Sequence, residues 1–127
     1  MIVQIFCDGA CSNSSGGWAT LLKVLDRPET QKTFSGHADN TTNNRMELQA
    51  AIEGLKALKF PCEVELFSDS QYLCFTMNKG WKRSVNNDLW EELDRLASIH
   101  KVTWCWMRRN STPELIECDR LAKNSKS

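Results

Sequence analysis

The stretch Thr41-Thr42-Asn43-Asn44-Arg45-Met46-Glu47-Leu48 is where the chain changes from strand to helix. Beyond it Leu48, Ala51, Ile52, Leu55 and Leu58 recur at helical spacing and form one apolar stripe. Asn44 is placed to cap this helix, and Glu47 stands three residues on, the spacing of a capping box. The helix is expected from about Asn44 to Lys59, with Pro61 as its stop. A cap alone does not require two threonines, two asparagines and an arginine ahead of the glutamate. Such a cluster of short hydrogen-bonding groups suits a polar ligand.

On the N-terminal side of this stretch the pattern is that of strands. Ile2 to Cys7 has Val3, Ile5 and Cys7 on one face and Ile2 and Phe6 on the other, so it is expected to be a central strand. Asp8-Gly9 breaks it, the polar run Cys11 to Gly17 reads as a flexible turn, and Trp18 to Leu25 and Thr30 to Ser35 follow as strands around Arg27-Pro28. These three strands predict an antiparallel meander. On the C-terminal side strands and helices alternate: a strand Cys62 to Ser68 ending at Asp69, a short helix Ser70 to Met77 and a loop Asn78 to Asn87. A helix Asp88 to Ser98, a strand Val102 to Met107 and a last helix with Thr112 as N-cap and Pro113 at its first position complete the chain. The sum is an α/β fold, a meander followed by βαβ units in a mixed sheet flanked by helices. Trp18, Trp90, Trp104 and Trp106 are assigned to the core.

At 127 residues, 41% hydrophobic and 25% charged, the chain is expected to form one globular domain over residues 1–127. Sixteen acids balance sixteen bases, so no long-range field gathers a polyanion and any nucleic-acid contact must be local. Cys7, Cys11, Cys62, Cys74, Cys105 and Cys118 include no C-x-x-C pair, which argues against a zinc site and for reduced, mostly buried thiols. Neither a basic leader nor a long apolar segment is present, so a cytoplasmic protein without a membrane partner is the expectation.

Asp8 follows the first strand, Asp69 follows the fourth, and Glu47 lies in the first turn of the first helix. The carboxyl ends of parallel strands are where α/β sheets hold ligands, so these acids are candidates for one rim. Asp119 falls at helical spacing with Leu115 and Ala122, a charge on a side expected to face the core. Each acid has a structural alternative: Asp8 in a turn, Glu47 in a capping box, Asp69 as a helix N-cap, Asp119 partly solvated. Taken together they repel unless a cation joins them, and an all-oxygen set suits Mg2+ or Mn2+.

Asp8-Gly9-Ala10-Cys11, Thr41 to Leu48, Ser68-Asp69-Ser70-Gln71-Tyr72, Asn87-Asp88-Leu89-Trp90 and Cys118-Asp119 followed by Leu121-Ala122 resemble the motifs of type 1 ribonuclease H, in that family's order across nearly the whole chain. The resemblance implies a five-stranded mixed sheet and an endonuclease that hydrolyses the RNA strand of RNA/DNA hybrids, leaving 5′-phosphate and 3′-hydroxyl ends. It implies that Asp8, Glu47, Asp69 and Asp119 hold two metal ions, Mg2+ with Mn2+ as a substitute, about 4 Å apart on the scissile phosphate. It also implies hybrid contacts. Asn13, Asn43, Asn44 and Gln71 match positions on the minor groove, where 2′-hydroxyls distinguish RNA, and Cys11, Ser12 and Met46 offer backbone or edge contacts. Thr42, Arg45 and Asn86 match a pocket for a DNA-strand phosphate, and Trp81 with Lys82 suits the DNA backbone. A monomer is expected.

Two departures bear on activity. Many members carry an extra helix and basic loop between the positions of Tyr72 and Asn87; this span is short, so hybrid binding is expected to be weaker and to fall steeply with salt. In Arg108-Arg109-Asn110-Ser111-Thr112-Pro113, Asn110 stands where the family usually has histidine, and Leu115 stands where it has asparagine. An amide orients a water but does not shuttle a proton, so Asn110 is an auxiliary candidate in a site of reduced turnover. Alternatives are a hybrid-binding module with weakened catalysis on the same scaffold, and a nuclease acting on another structured nucleic acid.

Overall fold

Val3, Ile5 and Cys7 on one face of β1 (Ile2–Ser12) and Phe6 on the other are all buried, so this strand is covered on both sides. The computed structural model describes residues 1–126. Its further elements are β2 (Ser15–Val24), β3 (Arg27–Ala38), α1 (Asn43–Lys56), β4 (Glu63–Ser68), α2 (Gln71–Lys79), α3 (Asn87–Ala97), β5 (Lys101–Trp106) and α4 (Pro113–Asn124). The sheet has five strands in the order β3-β2-β1-β4-β5, antiparallel across β3, β2 and β1 and parallel across β1, β4 and β5. This is the expected meander followed by parallel crossovers. The major core joins Val3, Ile5 and Cys7 to Leu48, Ile52 and Leu55 of α1, Leu73 of α2 and Trp90 and Leu93 of α3. A smaller core on the opposite face joins Phe6, Ala19 and Leu21 to Leu115, Cys118 and Ala122 of α4.

Four local expectations are corrected. Thr42, not Asn44, caps α1: its backbone is extended and its hydroxyl accepts from Arg45 N at 3.2 Å. Glu47 then lies five residues past the cap, out of reach of a capping-box bond, so its position has no capping explanation. The hairpin between β1 and β2 is not a seven-residue flexible turn. Ser12 pairs with Ser15, and only Asn13 (φ 52°) and Ser14 (φ 64°) form the loop, both in the left-handed region that a two-residue hairpin requires. At the start of α2, Ser70 rather than Asp69 is the cap, accepting from Leu73 N, which leaves the Asp69 carboxylate free of that role. Finally, Trp90 is buried and Trp18 and Trp104 are partly buried against the major core, but Trp106 is 37% exposed at the end of β5. All six cysteines are free, and Cys7, Cys62, Cys74 and Cys118 are buried. Burial pushes the Cys74 and Cys118 thiols up to about 12, so they stay protonated and inert.

Candidate active site

Strand register assembles the first pair of acids. The parallel ladder between β1 and β4 ends at Phe6 opposite Phe67, and two residues beyond on each strand come Asp8 and Asp69. Gly9 brings in the third. A side chain at Gly9 would lie 2.5 Å from Met46 C and 2.6 Å from Glu47 N, so only glycine lets the start of α1 pack directly on β1. Asp8, Glu47 and Asp69 consequently offer carboxylate oxygens that all lie within 4.8 Å of one another. Asp119 comes from the opposite layer, on α4, and lines the same cleft of about 300 Å³. The cleft is completed by Gly9, Ala10, Cys11, Asn43, Arg109, Lys123 and Lys126.

The electrostatics of this cluster are those of carboxylates held close enough to oppose one another's charge. Burial, then the charge of Asp69, pushes the Asp8 carboxyl up to about 7. Burial and the neighbouring Asp8 and Asp69 hold Glu47 well above the carboxylate range, and Glu47 Oε1 is buried with no hydrogen-bond partner. Asp119 differs. Burial works against its charge, but hydrogen bonds with Lys123 and Asp8 and the nearby Arg109 bring it below its ordinary value. Lys123 Nζ is 3.0 Å from Asp119 Oδ2 and Arg109 Nη2 is 3.4 Å from Oδ1. An unpartnered buried oxygen beside two more carboxylates, with no soft donor engaged, fits a hard divalent ion.

The cleft thus brings four carboxylates from both layers of the fold together at the ends of β1 and β4, and the chain as a whole matches known proteins. The ribonuclease H family model covers residues 1–127. The chain belongs to the ribonuclease H family. It is 48% identical to the Ribonuclease H of Geotalea uraniireducens (strain Rf4), over 97% of this chain and 92% of that one, and 47% identical to that of Caldanaerobacter subterraneus subsp. tengcongensis, over 95% and 88%. The first of these alignments runs over 139 positions, so that ribonuclease H has residues with no counterpart here. The fold is that of an N-terminal RNase H domain from Mycobacterium tuberculosis (TM-score 0.86, 23% identity, 98% of this chain and 93% of that one). It is also that of LC11-RNase H1 solved in complex with an RNA/DNA hybrid (TM-score 0.83, 17% identity, 98% and 96%). This ribonuclease H is a hydrolase acting on RNA, in a family that depends on metal ions.

The remaining candidates spread outward from the ribonuclease H cleft. Ser12 and Asn13 are exposed at the hairpin tip, and Asn43, Asn44 and Gln71 are exposed at the starts of α1 and α2. Cys11 lines the cleft and its thiol donates to Thr41 O at 3.4 Å. Met46 is only 2% exposed, so its side chain serves packing. Arg45 is held by a bidentate pair with Asp88 (2.8 and 3.0 Å) and donates to Asn86 Oδ1 at 3.2 Å; Asn86 in turn donates to Tyr72 Oη. Trp81 is 45% exposed, edge-on to Phe75, and Lys82 is exposed nearby. Asn110 has φ 55° in the turn before α4 and is not among the cleft-lining residues; Arg109 is. Leu115 is buried in the smaller core. Three contributors are not foreseen from sequence. Trp106 donates from Nε1 to Asp69 O at 3.0 Å and braces the end of β4. Lys123 pairs with Asp119 at a helical spacing of four that sequence periodicity contains, and Lys126 reaches the cleft from beyond α4.

Proposed function

We propose that this enzyme hydrolyses the RNA strand of RNA/DNA hybrids with two divalent ions, Mg2+ or in its place Mn2+, leaving 5′-phosphate and 3′-hydroxyl ends. The observation that carries the reading is the buried, unpartnered Glu47 Oε1 within the Asp8, Glu47 and Asp69 cluster. Bound there, the ions would supply positive charge that acidifies an attacking water and offsets charge on the departing 3′-oxygen. Asp8, Glu47, Asp69 and Asp119 are the residues that would hold them, the first three as a preformed oxygen set and Asp119 from the facing helix. Water adds to phosphorus as the bond to O3′ breaks, and the 3′-oxygen leaves protonated. No side chain forms a covalent bond.

The exposed amides Asn13, Asn43, Asn44 and Gln71, with the Cys11 to Asn13 backbone, face the minor groove and read 2′-hydroxyls. Thr42, Arg45 and Asn86 take a phosphate of the DNA strand. For this Arg45 must share its guanidinium with Asp88, whose carboxyl that hydrogen bond holds down at about 2. Trp81 and Lys82 extend the contact along the DNA backbone, and Asn110 orients solvent at the cleft mouth. That LC11-RNase H1, of the same fold, was solved with a hybrid supports the substrate class.

A substrate panel tests the reading. With Mg2+, hybrid is expected to be cut in its RNA strand alone, with duplex RNA and duplex DNA at least about 100-fold slower, because neither presents 2′-hydroxyls on one strand of the groove only. Equal cutting of duplex RNA would refute hybrid specificity.

A further inference from the structure

We propose that Lys126 is a substrate-binding residue, carried into the catalytic cleft by the turn after α4, where it holds a backbone phosphate of the RNA strand beside the one being cleaved. The inference rests on the hybrid reading above and adds a contact to it.

The turn is fixed by several contacts. Ser15 Oγ donates to the main-chain oxygen of Lys126, and His37 bridges Ser125 O at 3.1 Å and Asp39 Oδ1 at 2.9 Å. Gly17 makes room for it: a side chain there would lie 2.1 Å from Ala122 O and 3.0 Å from Lys126 N. Ser125 and Lys126 therefore lie over β2 and β3, and the Lys126 ammonium reaches Ser12 Oγ at 3.1 Å. Ser12 ends β1 four residues after Asp8, and Lys126 lines the cleft that holds the four acids, so the ammonium stands at the hairpin end of that cleft.

Its charge is the one left available. Arg109 and Lys123, the other cations of the cleft, both face Asp119, whereas Lys126 has no Asp or Glu carboxylate within 4.0 Å among the described residues. Of three ammonium donors, the Ser12 hydroxyl engages one. A cation so placed is a seat for one phosphate oxygen, and in a chain of zero net charge each such local contact weighs heavily.

The test uses the full chain with Asp69→Asn to block cleavage, and a hybrid duplex titrated with Mg2+ present between 50 and 200 mM salt. Adding Lys126→Ala is expected to weaken binding about five-fold and to make the slope of log K against log salt shallower by about 1, with Lys126→Arg restoring both. The melting temperature is expected to stay constant, because the turn is held through its main chain. In the cleaving protein the same change should raise KM and alter kcat less than about two-fold. Unchanged affinity and slope, or tighter binding, would overturn the role of Lys126. Failure of the Asp69→Asn parent to bind hybrid at all would overturn the hybrid reading itself, and this inference with it.

Discussion

Glu47→Gln is expected to lower hybrid cleavage by at least about 10³-fold while leaving the metal-free protein more stable above neutral pH than the parent. The two effects share one cause. Glu47 Oε1 is buried, unpartnered and close to Asp8 and Asp69, an arrangement unfavourable without a cation. An amide of the same shape removes the like charge, so the fold gains. It also removes one anionic donor from the set that would hold the ions, so catalysis loses. Cleavage assays with Mg2+ and thermal melts in EDTA at pH 8 check the two halves. Lost activity together with a lowered melting temperature would mean that Glu47 supports the fold in some other way.

The second large effect concerns pH and metal. Asp8 titrates near 7 in the folded chain against an ordinary 3.8, and Glu47 is raised as well, so between about pH 4 and 7 the folded state holds more protons than the unfolded one. Stability from these groups is therefore fully present below about pH 4 and is lost progressively as pH rises through 7. The loss amounts to a few kcal/mol, since each tenfold change in proton affinity between the folded and unfolded chain is worth about 1.4 kcal/mol. In EDTA the melting temperature is expected to drop by roughly 5–10 °C from pH 5.5 to pH 8. Millimolar Mg2+ should recover much of that at pH 8 and little at pH 5.5, because protonated carboxyls do not bind it. A melting temperature in EDTA that rises over this range would contradict the acid cluster as described.

Much of this is legible in the chain itself, for identifiable reasons. The alternation of Val3, Ile5, Cys7 against Phe6 and the stripe from Leu48 to Leu55 are periodic signals, and the sheet and α1 follow from them. Asp8 and Asp69 at strand ends are also visible, but that they stand side by side depends on the pairing of Phe6 with Phe67, a register no local pattern contains. The cap of α1 falls two residues before the expected one because Thr42, Asn43 and Asn44 are all competent caps and only the entry angle of the chain selects among them. Trp106 reads as core by composition, yet it ends the edge strand β5, where Phe75 of α2 covers only part of its ring and leaves it 37% exposed. Lys126 is invisible in the sequence for a different reason. Its place in the cleft depends on contacts spanning more than a hundred residues, from Ser12 and Ser15 to the turn beyond α4.

The cleaved ends test the central claim most directly. A hybrid carrying a 5′-labelled RNA strand, incubated in single turnover with Mg2+ or with EDTA, is expected to give RNA fragments ending in 3′-hydroxyl with Mg2+, none with EDTA, and an intact DNA strand. Fragments ending in 2′,3′-cyclic phosphate would show attack by the ribose hydroxyl, and cleavage that persists in EDTA would show that no metal is needed; either result would contradict the role assigned to Asp8, Glu47, Asp69 and Asp119.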